Sequence, residues 1–354
     1  MRLSLFIPEL VWPEPDDGVL ADIDCPSLST LLARGTFSKA SKTSAETSLA
    51  ALFGQPPTVS LAALRRAGEA DTRALPDAAG LVCADPVHLR FHEEHLILAD
   101  SDHFEITRED AGFLVASLNA ALGDEAFFEA ASAGRWYLRL CDTSLAKEIE
   151  TAPLSQVAGR SIARVLPEAF SGKRLRQFFN EAQMLLHAHP LNQARENSGS
   201  ETVNGLWLWG AGETPERVDS DFDGVWSNNA LARGLARCAG VPAHPEPIDA
   251  AALFAHAAQG SEQLVVIDAL LAPAHYENEI ACRDALQALE KRWFAPLKAA
   301  LAGGGVASLQ LVAPTAYGVL AWQIKRSDRW KFWRAPQSLV EVAKSLAAAK
   351  SPFA

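Results

Sequence analysis

The densest group of side chains able to bind ions or move protons is His88, Arg90, His92, His95 and His103 with Asp85, Glu93, Glu94, Asp100 and Asp102. Imidazoles and carboxylates hold divalent metals, and arginine pairs with anions. If residues 89–98 are strand-like, alternate side chains share a face, which puts His88, Arg90 and His92 together. No ligand spacing here matches a closed metal site, so a solvated strand and turn is the preferred account. A second group is Asn192, Arg195, Asn204 and Gly210-Ala211-Gly212. Glycines after a strand let a ligand reach the backbone, and Arg195 is placed to pair with an anion. The competing reading is a connector, with Trp207 and Trp209 in the core. Asp268, His275, Glu277 and Glu279 follow an apolar strand and offer an altered metal site; a capping aspartate with exposed acids beyond it explains them more simply. Lys325, Arg326, Arg329, Lys331 and Arg334 interleave with Trp322, Trp330, Phe332 and Trp333. That pattern suits phosphate pairing and base stacking, but a hairpin with rings inward and charges outward explains it too, and is preferred.

Positioning these groups requires an interleaved α/β chain. Leu3 to Ile7 reads as a buried strand stopped by Pro8. Leu28, Leu31 and Leu32 fall at helical spacing before Gly35, and Ser44 to Phe53 reads as a short helix. Strands are expected at residues 81–82, 96–98 and 135–140. Thr107 with Asp110 forms a capping-box signature, and Lys173 to Ala188 is an amphipathic helix. Leu191 to Val203 is polar and reads as a loop. Leu206 to Trp209, Leu264 to Asp268 and Val306 to Val312 are apolar strands separated by helices over residues 228–238 and 284–301, the pattern of a parallel sheet covered on both faces. Leu320 to Ile324, Ser327-Asp328 and Trp330 to Phe332 read as a hairpin.

The chain has 354 residues, enough for two compact units, and 49% of them are hydrophobic, which excludes a mainly disordered chain. The net charge of -11 repels phosphate backbones and anionic lipid, so a nucleic-acid partner is not expected without a local basic patch. No apolar run is long enough to span a bilayer, no signal peptide is evident, and a cytoplasmic location without membrane partners is expected. Cys25, Cys83, Cys141, Cys238 and Cys282 form no CxxC pair and read as isolated thiols rather than a disulfide framework or zinc knot.

Several segments, in order, resemble the archaeal-type cofactor-independent phosphoglycerate mutases of the alkaline phosphatase superfamily. CPSLSTLLARG (Cys25 to Gly35) resembles that family's TPxLDxLAxxG helix. SAETSLAALFGQP (Ser44 to Pro56) resembles its nucleophile segment, and NGLWLWGAG (Asn204 to Gly212) its NxLWLWGQG strand and turn. His189-Pro190-Leu191-Asn192 to Arg195 also fits, and Val265 to Leu297 tracks a strand and helix that carry a metal motif there. The resemblance implies a three-layer α/β/α sandwich of alkaline phosphatase type from residues 1–55 and 190–354, with a smaller α/β domain inserted at 56–189. It also implies two divalent metals held by Asp and His, and a Ser or Thr nucleophile. Those positions have changed. The Asp-Gly pair after the first strand is Pro8 and Glu9. The nucleophile is Ala45, followed by Glu46, with Ser44 one residue off. The metal strand runs from Asp268 to His275 through Ala, Leu and Pro, and the late Asp-His pair is Pro314-Thr315. Proline, alanine and leucine bind no metal, and without ions little stabilises a transferring phosphoryl group.

The segments Ile7 to Pro13 and ADPVHLR (Ala84 to Arg90), with the LWLWG block, resemble the bacterial regulatory proteins of the RpfE type, distant relatives of those mutases. The expected function is therefore a non-catalytic regulator on a mutase-like scaffold, without cofactor, binding a small anion or a protein partner. Two alternatives stand: a metal-dependent mutase or phosphohydrolase with rearranged ligands around Asp268, His275 and the His88 group, and a nucleic-acid-binding regulator using residues 325–334.

Overall fold

The computed structural model describes residues 1–14, 18–20, 22–69, 78–92, 95–162 and 172–348. Its strands are β1 (Arg2–Phe6), β2 (Thr36–Ala40), β3 (Leu81–His92), β4 (His95–Ala99), β5 (Ala126–Ala130), β6 (Trp136–Leu140), β7 (Gly205–Trp209), β8 (Gly224–Trp226), β9 (Ala243–His244), β10 (Glu262–Val266), β11 (Ser308–Thr315) and β12 (Gly318–Lys325). The chain is mixed α/β and divides into two compact units, one of Met1–Gly54 with Asp219–Ala354 and one of Gln55–Val218. The second boundary thus lies some way beyond residue 190.

The first unit is built on a seven-stranded sheet of order β2-β12-β11-β1-β10-β8-β9. The pairings β11–β1, β1–β10, β10–β8 and β8–β9 are parallel; β12 runs antiparallel to both β11 and β2. Alternation along the strands sorts their side chains onto two faces. Leu3, Leu5, Ile7, Val265, Ile267, Leu309 and Leu311 join one apolar cluster with residues of helices Pro26–Arg34, Glu279–Leu289, Ala295–Gly303 and Leu339–Ala348. Phe6, Leu264 and Val266 are also buried but fall outside that cluster, on the other face. Helix Ala230–Cys238 packs on β8, and helix Ala45–Ala51 on β11. Helices on both sides remove water from continuous apolar strands, which is why the central strands carry so few polar residues.

The second unit holds an antiparallel sheet of order β4-β3-β6-β5, with β7 also paired to β3. The LWLWG block is therefore a strand of this unit, with Cys83 opposite Trp209 and Val87 opposite Gly205, rather than part of the parallel sheet. It is fully buried, and helix Lys173–Ala188 packs against it. The capping box at Thr107 and Asp110 opens helix Arg108–Leu122.

Two further expectations change. The first part of the expected loop at Leu191 to Val203 is instead helical, in helix Pro190–Asn197: Pro190 takes its first position, and the His189 Nδ1 accepts the Leu191 N–H at 3.1 Å. The expected hairpin around Ser327-Asp328 is absent, because β12 ends at Lys325. The Asp328 carboxylate accepts the Lys325 N–H at 2.8 Å and closes a 3-10 turn over Arg326–Trp330.

Candidate functional site

Parallel α/β sheets bind ligands at the carboxyl ends of their strands, where backbone and loop groups converge. In the first unit that edge is made by the residues after β1, β8, β10 and β11. The Ile7 N–H donates to the Val312 carbonyl and the Glu9 N–H to the Pro314 carbonyl at 2.8 Å, so the Pro8-Glu9 and Pro314-Thr315 segments lie side by side. Glu9 has a φ of 54°, a left-handed conformation that costs a side-chain-bearing residue roughly 1–2 kcal/mol. Glu9→Gly is accordingly expected to be more stable than Glu9→Ala by about 1 kcal/mol in urea denaturation. Equal stability of the two would mean that the conformation carries no strain.

Four polar side chains of this edge, Ser44, Thr315, Asp268 and Asn229, are engaged locally. Ser44 caps helix Ala45–Ala51: its Oγ accepts the Thr47 N–H at 3.0 Å and donates to the Thr47 Oγ1 at 2.9 Å. Thr315 Oγ1 donates to the Gly318 carbonyl at 3.0 Å and accepts the Tyr317 N–H at 3.1 Å. Asp268 Oδ2 accepts the Asn229 Nδ2–H at 2.8 Å, while Asn229 Oδ1 caps helix Ala230–Cys238 through the Leu231 and Ala232 N–H groups. Burial, and then the charge of Asp268, push the neighbouring Glu246 carboxyl above its usual range. His275 is buried at the end of the short helix Leu271–His275, and Glu277 takes a φ of 49°. Glu279 opens the next helix, beside its capping residue Asn278.

Two divalent ions would need several oxygen or imidazole donors around each. Pro8, Ala45 and Pro314 offer no side-chain donor, and Asp268, Thr315 and Ser44 already serve the backbone and its caps. Among the described residues, no group of three or more His, Cys, Asp or Glu side chains is placed to hold a metal. This donor set does not fit the pair of ions that the resembled family uses.

In the second unit, the structure brings His88, Asn192 and Asn204 to one cavity of about 500 Å³, also bordered by His187, Glu196 and Thr202. Several of their polar atoms bond to the backbone. Asn192 is buried; its Nδ2 donates to the Leu186 and Val203 carbonyls at 2.7 and 2.8 Å, and its Oδ1 accepts the Val203 N–H at 2.9 Å. Asn204 makes the same two-way bridge to the Leu89 backbone, at 2.7 and 2.8 Å. His88 Nδ1 lies 2.8 Å from the Thr202 carbonyl. Arg195 donates to the Glu201 and Glu105 carbonyls and to the Asp110 carboxylate at 3.1 Å. Gly212 is a close-approach position: a Cβ there would meet the Thr58 carbonyl oxygen at 2.5 Å and the Ser60 nitrogen at 2.6 Å. Gly210 has a φ of 75°, and its carbonyl accepts the Ala62 N–H at 2.9 Å. These side chains and glycines, expected to hold a ligand, join the backbone segments of the second unit. Arg90 and His92 are exposed on β3, whereas Glu93 and Glu94 lie outside the described residues.

The strongest electrostatic feature of the second unit has no sequence signature. Arg65 and Asp85 form a buried bidentate pair, with Nη1–Oδ2 at 2.7 Å and Nη2–Oδ1 at 2.8 Å. Asp85 also accepts the Trp136 N–H at 3.1 Å and the Trp209 Nε1–H at 2.8 Å. Arg65 Nε donates to the Tyr137 hydroxyl at 3.0 Å, and its guanidinium lies over the Tyr137 and Trp209 rings. Burial alone would lower the Arg65 pKa; the Asp85 charge, with smaller contributions from Cys83 and Tyr137, reverses this and leaves it well above its ordinary value. Asp85 is thus separated in role from the histidines that follow it in sequence.

The cysteines are free, as their spacing suggested, and Cys25, Cys83 and Cys282 are buried. Burial, and then the Glu290 charge, push the Cys25 thiol up to about 12; burial pushes Cys238 and Cys282 to about 11. Thiols this hard to ionise are poor nucleophiles.

The family description 2,3-bisphosphoglycerate-independent phosphoglycerate mutase matches residues 87–192, which lie wholly within the second unit. The chain is similar to these cofactor-independent mutases. The enzyme of that name from Methanosarcina barkeri is 28% identical over 123 residues, 35% of this chain and 31% of the relative. A probable one from Geobacter sulfurreducens is 26% identical over 152 residues, 41% of this chain and 38% of the relative. The matched part thus spans about a third of the length of these mutase relatives. Among solved structures, the PH0037 protein from Pyrococcus horikoshii shares the fold, with a TM-score of 0.54 over 92% of this chain and 87% of that one, at 14% identity. The mutase-like scaffold is thereby supported. No helix among the described residues is long and apolar enough to cross a membrane.

Proposed function

We propose that this chain is a non-catalytic relative of the cofactor-independent mutases, of the RpfE regulatory type, on an alkaline phosphatase-type sandwich. It acts by binding a small anion or a protein partner and transfers no phosphoryl group. One observation carries the reading. At the carboxyl edge of the parallel strands, Ser44, Thr315, Asp268 and Asn229 direct their hydrogen-bonding atoms to backbone groups, helix caps and one another. Phosphoryl transfer requires concentrated positive charge around the equatorial oxygens and a nucleophile aligned with phosphorus. Neither is supplied by proline, alanine and a capping serine.

The test is turnover. Purified full-length protein, given 3-phosphoglycerate or a generic phosphomonoester with manganese, magnesium or zinc, is expected to show no rate above that of buffer and metal alone. Metal-dependent turnover that disappears in Asp268→Ala would overturn the proposal and move the chain among the enzymes.

A further inference from the structure

The stretch from Lys325 to Gln337 carries five cations, Lys325, Arg326, Arg329, Lys331 and Arg334, against one carboxylate, Asp328. In a chain of net charge -11 this is a local reversal of sign. Asp328 is buried and paired with Lys331 at 2.7 Å. The rings expected to pack inward do not. Trp330, Phe332 and Trp333 are 64%, 75% and 70% exposed. The reason is the turn closed by Asp328, which ends β12 before the alternation reaches them, so burial stops after Leu320, Trp322 and Ile324. Three adjacent large rings left in water are an uncommon surface, and such patches mark interaction sites.

One cation lies against a ring, and two more are fixed by backbone carbonyls. The Arg329 guanidinium lies 4.8 Å from the centre of the Trp330 ring and donates to the Ala302 carbonyl at 2.9 Å. Lys331 donates to the Arg34 carbonyl, and Arg334 to the Ala33 and Gly35 carbonyls, at the end of helix Pro26–Arg34. Phe332 and Trp333 meet edge to face at 5.5 Å. Fixed positive charge interleaved with aromatic faces is the arrangement that binds unpaired nucleotides: phosphates pair with the cations and bases stack on the rings.

Other occupants suit the patch less well. Insertion of Trp330 into an acyl layer would carry the Arg329 guanidinium out of water with it, at a desolvation cost that stacking on a base avoids. Pairing of the patch with the same patch on a second copy would oppose like charges.

We infer that the exposed aromatic and basic surface at residues 325–334 is a binding site for single-stranded nucleic acid. The inference stands apart from the absence of catalysis proposed above, because it concerns a different surface and a different readout. Full-length protein titrated into fluorescein-labelled oligodeoxythymidylate at low salt is expected to raise its anisotropy, with an affinity that falls as salt increases. Trp330→Ala and Trp333→Ala are each expected to weaken binding about tenfold, as loss of one stacked base does. Arg326→Gln is expected to flatten the salt dependence by about one phosphate contact. All three positions are exposed, so the melting temperature should not move, and Trp333→Phe should restore part of the affinity by keeping a ring. The inference is overturned by no anisotropy change at low salt, by binding that the ring substitutions leave intact, or by ring-dependent binding to phosphatidylserine vesicles or to an acidic polypeptide without binding to the oligonucleotide.

Discussion

Asp85→Ala is expected to destabilise the second unit by about 3–5 kcal/mol, the range for removing one partner of a buried ion pair. The substitution strands the Arg65 guanidinium in a site where both charges are almost fully shielded from water. It also removes the acceptor for the Trp136 N–H and the Trp209 Nε1–H, each a buried donor whose loss of a partner adds to the cost. Urea denaturation followed by tryptophan fluorescence measures it. Replacing both charges, with Arg65→Met and Asp85→Leu, is expected to recover only part of the loss. No charge is then stranded, but the two tryptophan donors still lack an acceptor. Full recovery would assign the whole effect to the ion pair; a loss below about 1 kcal/mol for Asp85→Ala would show that water or a rearranged side chain compensates Arg65.

The second large effect is expected at Asn192. Its amide closes three hydrogen bonds to backbone groups of Leu186 and Val203 inside a buried site, and Asn192→Ala leaves those groups without partners. The expected cost is about 2–4 kcal/mol, given roughly 1–3 kcal/mol for each buried group left unsatisfied and partial relief by water. Asn192→Asp is expected to be no better. It keeps an acceptor for the Val203 N–H but turns a carboxylate oxygen toward two carbonyls where the amide donated. A ligand-holding Asn192 would behave in the opposite way, with stability intact in both variants and phosphate binding lost. Stability and phosphate titration measured on the same samples therefore separate the two roles.

The parts legible in the sequence were those governed by local, periodic patterns. The run from Leu3 to Ile7, the Thr107 and Asp110 capping box, and the stripe over Lys173–Ala188 each place an element within a residue or so of where it lies. Residues 190–197 escaped because only Asn192 of that helix is buried, so no apolar period marks it. The LWLWG strand is apolar on both faces, which reads as a parallel central strand. Its burial comes instead from antiparallel pairing with β3 and from two tryptophans whose Nε1–H groups reach the Ala152 carbonyl and Asp85. Arg65 and Asp85 are twenty residues apart and their pairing is a property of the tertiary fold. The exposure of Trp330, Phe332 and Trp333 turned on a single buried carboxylate, Asp328, closing a turn where the alternation suggested a strand. At the sheet edge, the hydrogen bonds of Ser44, Asp268 and Thr315 depend on local caps and tertiary neighbours that residue types alone do not show.

The central claim concerns ion affinity at that edge, and equilibrium dialysis of the metal-stripped full-length protein against manganese or zinc addresses it without relying on a substrate. The account predicts no tight, stoichiometric uptake, and the same residual level in Asp268→Ala as in the parent. Two equivalents of metal retained per chain, with at least one lost on replacing Asp268, would contradict it.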